Sequence, residues 1–313
     1  MQTLVLSLFN GITYGMLLFL LAAGLTLVFS MLGVLNFAHA GFYMLGAYFA
    51  YTFAQLLDLG FWAGVLAAPL CCALLGALVQ RYAMRRVMQS GLVAPLLLTF
   101  TLLLLMGEAV ILVWGKQPVG YAVPRALDVP LITVMGIDFS AYRGFVLATS
   151  LAVLAGLWAL LHLTRIGVVV RASLTRPDIV NALGHNLPII QASVFVLGTA
   201  LAGLGGALAG NIFGTEPGMA DHLGSLLLIV IVVGGLGSLA GALWASLLVG
   251  VLQSLATATS WSWGDLLGPL AVNLHQFDAL GEPISRLAPL VPYMLIMIIL
   301  MVRPRGLMGK RDL

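Results

Sequence analysis

Charged residues are scarce in this chain of 313 residues, since Lys, Arg, Asp and Glu make up 8% of it against a hydrophobic share of 61%. Soluble domains carry about 25% charged residues. The mean hydropathy is +1.10, and apolar runs of about twenty residues, the length that spans a bilayer as a helix, recur along the chain. The composition therefore predicts an all-α, polytopic membrane protein.

Motifs for chemistry are also missing. The two cysteines, Cys71 and Cys72, are adjacent within an apolar run, so neither a disulfide framework nor a metal pair is expected. The sequence contains no G-x-x-x-x-G-K-[ST] loop for a nucleotide phosphate and no H-E-x-x-H zinc pattern. We therefore expect no enzyme activity, no metal site and no directly bound cofactor.

The hydropathy pattern predicts about eight or nine membrane crossings in one transmembrane domain over residues 1–313. The count is nine, or eight if the short seventh stretch is re-entrant. The stretches are Leu4–Phe29, Phe42–Phe53, Phe61–Val79, Leu92–Trp114, Gly144–Leu161, Pro188–Phe213, Leu223–Val233, Ala242–Ala258 and Pro289–Val302. Thirty-six glycines, some spaced as in Gly11-x-x-x-Gly15 and Gly206-x-x-x-Gly210, predict closely packed helices.

Two stretches interrupt the apolar pattern. Asn36 and His39 fall within Ser30–Gly41, and four glycines fall within Gly234–Gly241. Uncovered polar side chains are costly in hydrocarbon, and glycine-rich segments disfavour a continuous helix, so broken or re-entrant backbone is expected. Asn36 and His39 are candidates to line a solute path. Alternatively, they bind backbone groups freed by the break, and this structural role is favoured.

Glu108 is the one acid within a predicted span, which makes it a candidate ion or solute site. The simpler interpretation is a structural carboxyl, protonated or bonded to a neighbouring helix, or one near the membrane interface close to Trp114. Asn211, near the end of the sixth span, could likewise contact a solute or simply reach the interface.

A polar stretch, Arg171–Asn186, joins the two hydrophobic halves. Thr175 and Asp178 are spaced as in a capping box, Pro177 is tolerated in a first helical turn and Gly184 is a typical helix stop. Ile179, Ala182 and Leu183 follow helical spacing, so the stretch predicts a short helix with one small apolar face. It is either an ordinary capped loop or a docking helix for a soluble partner.

Positive charge is concentrated on one predicted side of the membrane. If Arg81–Gln89, Thr164–Leu187 and the tail Arg303–Leu313 lie in the cytoplasm, ten of the fourteen Lys and Arg residues lie there. Eight of the eleven acids then lie outside, and this bias follows the positive-inside rule. The prediction is an external N-terminus, a cytoplasmic C-terminus and a cytoplasmic Arg171–Asn186 segment.

Several motifs in order resemble the LivH-like membrane subunits of branched-chain amino acid ABC importers. They are Asn10-Gly11, Ala23-Gly24-Leu25-Thr26, Asn36-Phe37-Ala38-His39, Leu45-Gly46-Ala47-Tyr48, Gly234-Gly235-Leu236-Gly237-Ser238 with Gly241-Ala242, and Arg303-Pro304-Arg305-Gly306-Leu307. Arg171-Ala172, Asp178, Ala182-Leu183-Gly184 and Asn186 resemble the coupling segment of that family. The chain departs from the usual pattern at Ala40, Gly41, Thr175, Arg176 and His185, and its Ser260–Leu287 loop is longer than usual.

The resemblance implies a permease of the bacterial inner membrane that carries branched-chain amino acids or a related small polar or organic-acid solute. The implied partners are a second related permease subunit or a second copy, two cytoplasmic ATPase subunits that use ATP, and an external solute-binding protein, with no nucleic acid. Residues implied in ATPase coupling are Arg171, Thr175, Arg176, Asp178, Ile179, Asn181, Ala182, Leu183 and Gly184. The alternative is a stand-alone secondary transporter or channel that uses Glu108 as a proton or ion site.

Overall fold

The computed structural model describes residues 2–134, 136–175, 177–259 and 283–309. Its helices are α1 (Gln2–Leu32), α2 (Ala38–Tyr51), α3 (Phe61–Val79), α4 (Val93–Trp114), α5 (Ala141–Leu163), α6 (Arg165–Thr175), α7 (Pro177–Ala182), α8 (Leu187–Phe213), α9 (Met219–Gly234), α10 (Leu239–Ala258) and α11 (Val291–Val302). Short π- or 3₁₀-helical turns extend α2 and α3, and a 3₁₀ turn, Ile284–Leu290, precedes α11. Most of the predicted loop Ser260–Leu287 lies outside the described residues.

Within the described residues, seven helical stretches are long and apolar enough to cross a membrane. They are Thr3–Leu32, Phe61–Ser90, Val93–Trp114, Ala141–Leu163, Leu187–Phe213, Leu239–Ala258 and Ser285–Val302. The predicted second and seventh spans correspond to the shorter helices α2 and α9, of 14 and 16 residues. The expectation of a polytopic helical membrane protein is confirmed, with about seven or eight crossings.

A small β-hairpin, which the hydropathy pattern did not indicate, precedes α5. Strands β1 (Pro130–Val134) and β2 (Ile137–Ser140) pair antiparallel, and the Ser140 hydroxyl accepts a hydrogen bond from the Tyr142 N–H to cap α5. The rings of Phe9 and Phe139 lie 5.5 Å apart, so α1 begins beside this hairpin. We call this side of the bundle the hairpin end.

The opposite side of the bundle, which we call the α7 end, carries α6 and α7. The Ser173 hydroxyl lies 3.4 Å from the sulfur of Met31 near the end of α1, and the Ser30 hydroxyl donates to the Gly237 carbonyl at 3.2 Å. The turn between α9 and α10 therefore also lies here. All long helices run between these two ends.

The chain breaks after α1 and then turns back into the bundle. Gly33 adopts a φ of +67°, and residues 33–37 form no regular helix before α2 starts. The His39 Nε2 donates to the Leu21 carbonyl at 3.0 Å, because a carbonyl can only accept. Leu21 lies eleven residues, or about three turns, before the end of α1. At 1.5 Å per residue, α2 therefore starts about 16 Å back from that end. The predicted broken backbone is confirmed, and it lies at membrane depth.

Helix α2 forms the centre of the core. Its side chains Phe42, Tyr43 and Tyr48 are fully buried, and the helix packs against α3, α4 and α8. A Cβ on Gly46 would overlap the Gly203 carbonyl, and a Cβ on Gly206 would overlap the carbonyl of Tyr43. Small residues thus let the backbones of α2 and α8 touch, as the glycine content predicted.

The outer surface of the bundle is not uniform. On α3, large apolar side chains recur every four residues and are exposed: Trp62, Leu66, Leu70, Leu74 and Leu78. Such a continuous apolar ridge suits contact with lipid. On α4 and α9, by contrast, Thr101, Glu108, Asp221 and His222 are exposed among apolar neighbours. The exposed faces of α4 and α9 are therefore less suited to plain hydrocarbon.

Candidate functional site

Helices α6 and α7 form a surface at the α7 end between the long helices α5 and α8. Pro177 begins α7, where its missing N–H costs nothing. At the other end, the Gly184 N–H donates to the Asn181 carbonyl at 2.9 Å and the His185 N–H donates to the Val180 carbonyl at 3.2 Å. Gly184 has a φ of +83°, so this is the Schellman stop expected of a glycine at this position.

The apolar residues of α7 divide into one anchor and an exposed pair. Val180 is 3% exposed and holds α7 against the rest of the protein, whereas Ile179 is 51% and Leu183 is 73% exposed. Ala182 is exposed with them. The structure thus brings the predicted apolar face together on one surface that no described residue covers.

Polar residues of the predicted coupling segment lie on both α6 and α7. Arg171, Asp178 and Asn181 are exposed. Arg176 and the side chain of Thr175 lie outside the described part of the structure. The Asn186 side chain caps α8 by accepting from the Ile189 N–H at 3.3 Å. Coupling roles for these residues remain predictions.

The C-terminal tail packs onto the glycine-rich turn after α9. The Leu307 N–H donates to the Val233 carbonyl at 2.7 Å, and the Met308 N–H donates to the Gly234 carbonyl at 3.0 Å. A Cβ on Gly306 would lie 2.6 Å from the Gly235 nitrogen, so only glycine fits. Two motifs that are about seventy residues apart in sequence therefore form one structural unit. Sequence reasoning recognised both but did not predict their contact.

Asn36 and His39, the two predicted path residues at the break, lie close together in the interior. His39 is fully buried, and its ring is fixed by the bond to Leu21. Asn36 is 3% exposed, and both its amide oxygen and its amide nitrogen have no hydrogen-bond partner among the described residues. Asn36 lines a cavity of about 210 Å³ between α4 and α9. Of the two residues, Asn36 is the one that lines a cavity.

The other two predicted path residues lie elsewhere. Glu108 belongs to an exposed face of α4 that also carries Leu104, Leu105 and Leu112, so it points out of the subunit rather than into its core. Asn211 is half-buried near the end of α8. The structure therefore brings Asn36 and His39 together but does not bring Glu108 or Asn211 to them.

A cavity of about 360 Å³ at the hairpin end was missed by the sequence reasoning. The Arg143 guanidinium on α5 donates to the Asn10 side-chain oxygen on α1, and both line this cavity. A second cavity, of about 350 Å³, shares Tyr14, Phe213 and Gln253 with the first and adds Glu216 and His222. The Asn10-Gly11 motif was a signal for this region, but its partner on α5 could not be identified from sequence.

Loop residues close the bundle beside these cavities. The Val119 N–H donates to the Thr215 carbonyl at 2.8 Å, and the Tyr121 hydroxyl donates to the Ala207 carbonyl of α8. Burial raises the pKa of Tyr121 well above its usual range, so the hydroxyl stays protonated and remains a donor. Across the described residues, no three His, Cys, Asp or Glu side chains form a cluster that could hold a metal ion.

The comparisons with known proteins cover nearly the whole chain. The permease protein LivH of the high-affinity branched-chain amino acid transport system of Salmonella typhimurium is 28% identical over 319 residues, covering 97% of this chain and 95% of that protein. BraD of Pseudomonas aeruginosa, the corresponding permease protein, is 26% identical over 316 residues, with the same two coverages. A probable branched-chain amino acid permease, LivH of Methanocaldococcus jannaschii, is 27% identical over 276 residues, covering 85% of this chain and 86% of that protein.

One solved structure and one family model also match this chain over most of its length. A chain of PsaBC from Streptococcus pneumoniae in complex with Fab aligns over 95% of this chain and 91% of its own length, with 13% identity and a TM-score of 0.48. The family model described as branched-chain amino acid transport system / permease component matches residues 7–300. The chain therefore belongs to this family and is the membrane permease component of an ABC importer of the branched-chain amino acid type.

Proposed function

We propose that this permease carries a branched-chain amino acid, or a related small polar or organic-acid solute, across the bacterial inner membrane. It works with a second related permease subunit or a second copy of itself, two cytoplasmic ATPase subunits and an external solute-binding protein. The α7 end faces the cytoplasm, so the N-terminus is outside and the C-terminus is inside. The distribution of Lys and Arg supports this orientation.

The exposed apolar face of α7 is the observation that carries the proposal. Ile179 and Leu183 stand out on a short helix that Val180 anchors and Gly184 ends. An exposed apolar face on an anchored helix, flanked by Arg171 and Asp178, matches the way short helices seat in a groove of a partner. The partner is an ATPase subunit, because this chain has no nucleotide-binding loop of its own.

The connections of α7 provide a route from ATP hydrolysis to the membrane. Helix α7 lies between α5 and α8, and α8 touches α2 along Gly203 and Gly206. A displacement of α7 by the ATPase subunits therefore moves α8 and, with it, α2. Because α2 starts at the break beside Asn36, this movement switches access to the solute path between the two sides.

The substrate path is proposed to run along the faces of α4 and α9 that carry exposed polar side chains. Exposed Glu108 and Asp221 are costly against lipid but suit a water-filled path or a second permease subunit. Asn36 lines the path and His39 holds the start of α2 beside it, whereas Asn211 lies near the end of α8, away from them. The leucine ridge of α3 faces lipid in this arrangement.

Co-purification and driving-force measurements test the proposal. The chain, expressed with the ATPase, second permease and solute-binding protein encoded beside it, is expected to purify with the ATPase subunits. Proteoliposomes of this complex should take up leucine only when ATP and the binding protein are supplied. Purification without any ATPase, or uptake that needs no ATP and collapses with the proton gradient, would favour a secondary transporter instead.

A further inference from the structure

A cavity of about 210 Å³ lies where α2 starts, about 16 Å from the end of α1. Its walls are α4 and α9, which contribute Phe100, Leu103 and Leu227, and its floor is formed by Leu25 and by Asn36 at the start of α2. A Cβ on Gly224 of α9 would lie 3.3 Å from the Cβ of Ala40, so α9 passes directly over the first turn of α2. The cavity thus has mainly apolar walls, and the Asn36 side chain contributes an amide to its floor.

The buried side-chain amide of Asn36 makes no hydrogen bond within the described residues. Asn36 is 3% exposed, and neither atom of its amide has a partner among the described residues. Leaving such a group unpaired is unfavourable, so buried amides in folded proteins are normally hydrogen-bonded. A polar ligand in the cavity would supply the missing partner.

The start of α2 favours a negative group in the same place. No side chain caps this end of α2, and the residue before it, Phe37, lines the cavity. The N-terminus of a helix carries a partial positive charge and free N–H groups, and broken membrane helices use this end to bind anionic solute groups. The Asn36 Nδ2 adds a hydrogen-bond donor. A carboxylate fits this floor.

Asp221 provides the opposite charge on the wall formed by α9. It lines the same cavity, and no ion pair is found for it among the residues that the structure describes. A carboxylate at this depth is best matched by a cationic group such as an ammonium. The remaining lining is mostly aliphatic or aromatic, and the volume suits a ligand much smaller than the drug-sized molecules that fill sites of about 300–1,000 Å³.

We infer that this cavity is the amino-acid site of the permease, with the solute carboxylate at Asn36 and the start of α2, its ammonium at Asp221, and its aliphatic side chain against Leu103 and Leu227. This assignment rests on the proposed transport function. A 2-oxo acid of the same shape lacks the ammonium and leaves Asp221 without a partner. The site therefore distinguishes an amino acid from an organic acid.

Two nearly isosteric variants test the site in the intact complex with its ATPases and binding protein. Asn36→Leu removes the unpaired amide, and Asp221→Asn removes the charge. Each is expected to lower uptake of labelled L-leucine into proteoliposomes at least 10-fold without loss of assembly. Gln80→Leu is the matched control, because Gln80 is also buried, its Oε1 is also unpaired, and it lies away from the cavity. It should retain uptake.

Ligand-induced thermal stabilisation separates the two roles. In the permease–ATPase complex without the solute-binding protein, which itself binds the solute, L-leucine should stabilise the complex more than 4-methyl-2-oxopentanoate does, and this preference should vanish in Asp221→Asn. Neither compound should stabilise Asn36→Leu. Uptake and stabilisation in Asn36→Leu that match Gln80→Leu would overturn the assignment, and so would ATP-dependent uptake of the oxo acid but not of leucine. A wild-type complex that lacks ATPases would instead overturn the proposed function, before any variant is made.

Discussion

Replacing Ile179 and Leu183 together with aspartate is expected to abolish ATP-dependent uptake and ATPase binding while the permease stays folded in the membrane. Both side chains are more than half exposed, so the permease itself loses little packing. Burying two such side chains against a partner is worth about 3–6 kcal/mol in total. Losing that contribution weakens ATPase binding at least ~100-fold, before the cost of burying two carboxylates is added.

Co-purification of the ATPase and uptake in proteoliposomes measure this effect, and the yield of monodisperse permease reports folding. Leu236→Asp is a suitable control, because Leu236 is 47% exposed on the glycine-rich turn at the same end of the bundle. It should retain the ATPase. If the double variant still transports solute at the normal rate, α7 is not the coupling helix.

The coupling segment could be predicted because its signals are local. Pro177 and Gly184 mark a start and a stop through their own backbone preferences, and both serve these roles in the structure. The exposure of Ile179 and Leu183 was consistent with the pattern. The anchor Val180 was not predicted, since its burial depends on neighbours from other parts of the chain.

Contacts between distant residues could not be predicted in the same way. The interruption at Asn36 and His39 was visible because polar residues stand out in an apolar run, but the depth of α2 depends on the bond from His39 to Leu21. The contact of Arg143 with Asn10 joins two helices that no pattern pairs. A soluble helix shows its buried face by a periodic alternation of apolar and polar residues. A membrane helix is apolar both where it faces lipid and where it faces protein, so this periodicity is lost.

Glu108 illustrates this last limit. Helix α4 carries leucine on several of its faces, so its pattern does not show which side meets the protein and which side is exposed. The sequence located Glu108 within a span, and the structure places its side chain on the exposed face. Only the packing of α4 against α2 decides that orientation.

Replacing Gly206, where α2 and α8 touch, with valine is expected to lower the thermal stability of the permease. In Gly206→Val, the new Cβ would overlap the Tyr43 carbonyl and lie 2.9 Å from the Ala47 nitrogen, so the two backbones must separate. Overpacking of this kind costs about 1–3 kcal/mol, and more where backbone rather than a flexible side chain must move. We expect a fall of about 5 °C or more in Tm, or loss of folded protein.

Thermal unfolding of the purified permease, followed by the fraction that remains monodisperse, measures this change. Gly156→Ala is the matched control, because a Cβ there meets nothing within 4 Å. Alanine is favoured over glycine within a helix by about 1 kcal/mol, so this control should keep or raise Tm. Equal Tm values for the two variants would mean that α2 and α8 do not touch through Gly206. The proposed transmission from α7 through α8 to the break would then lose its physical link, because α8 could move without carrying α2.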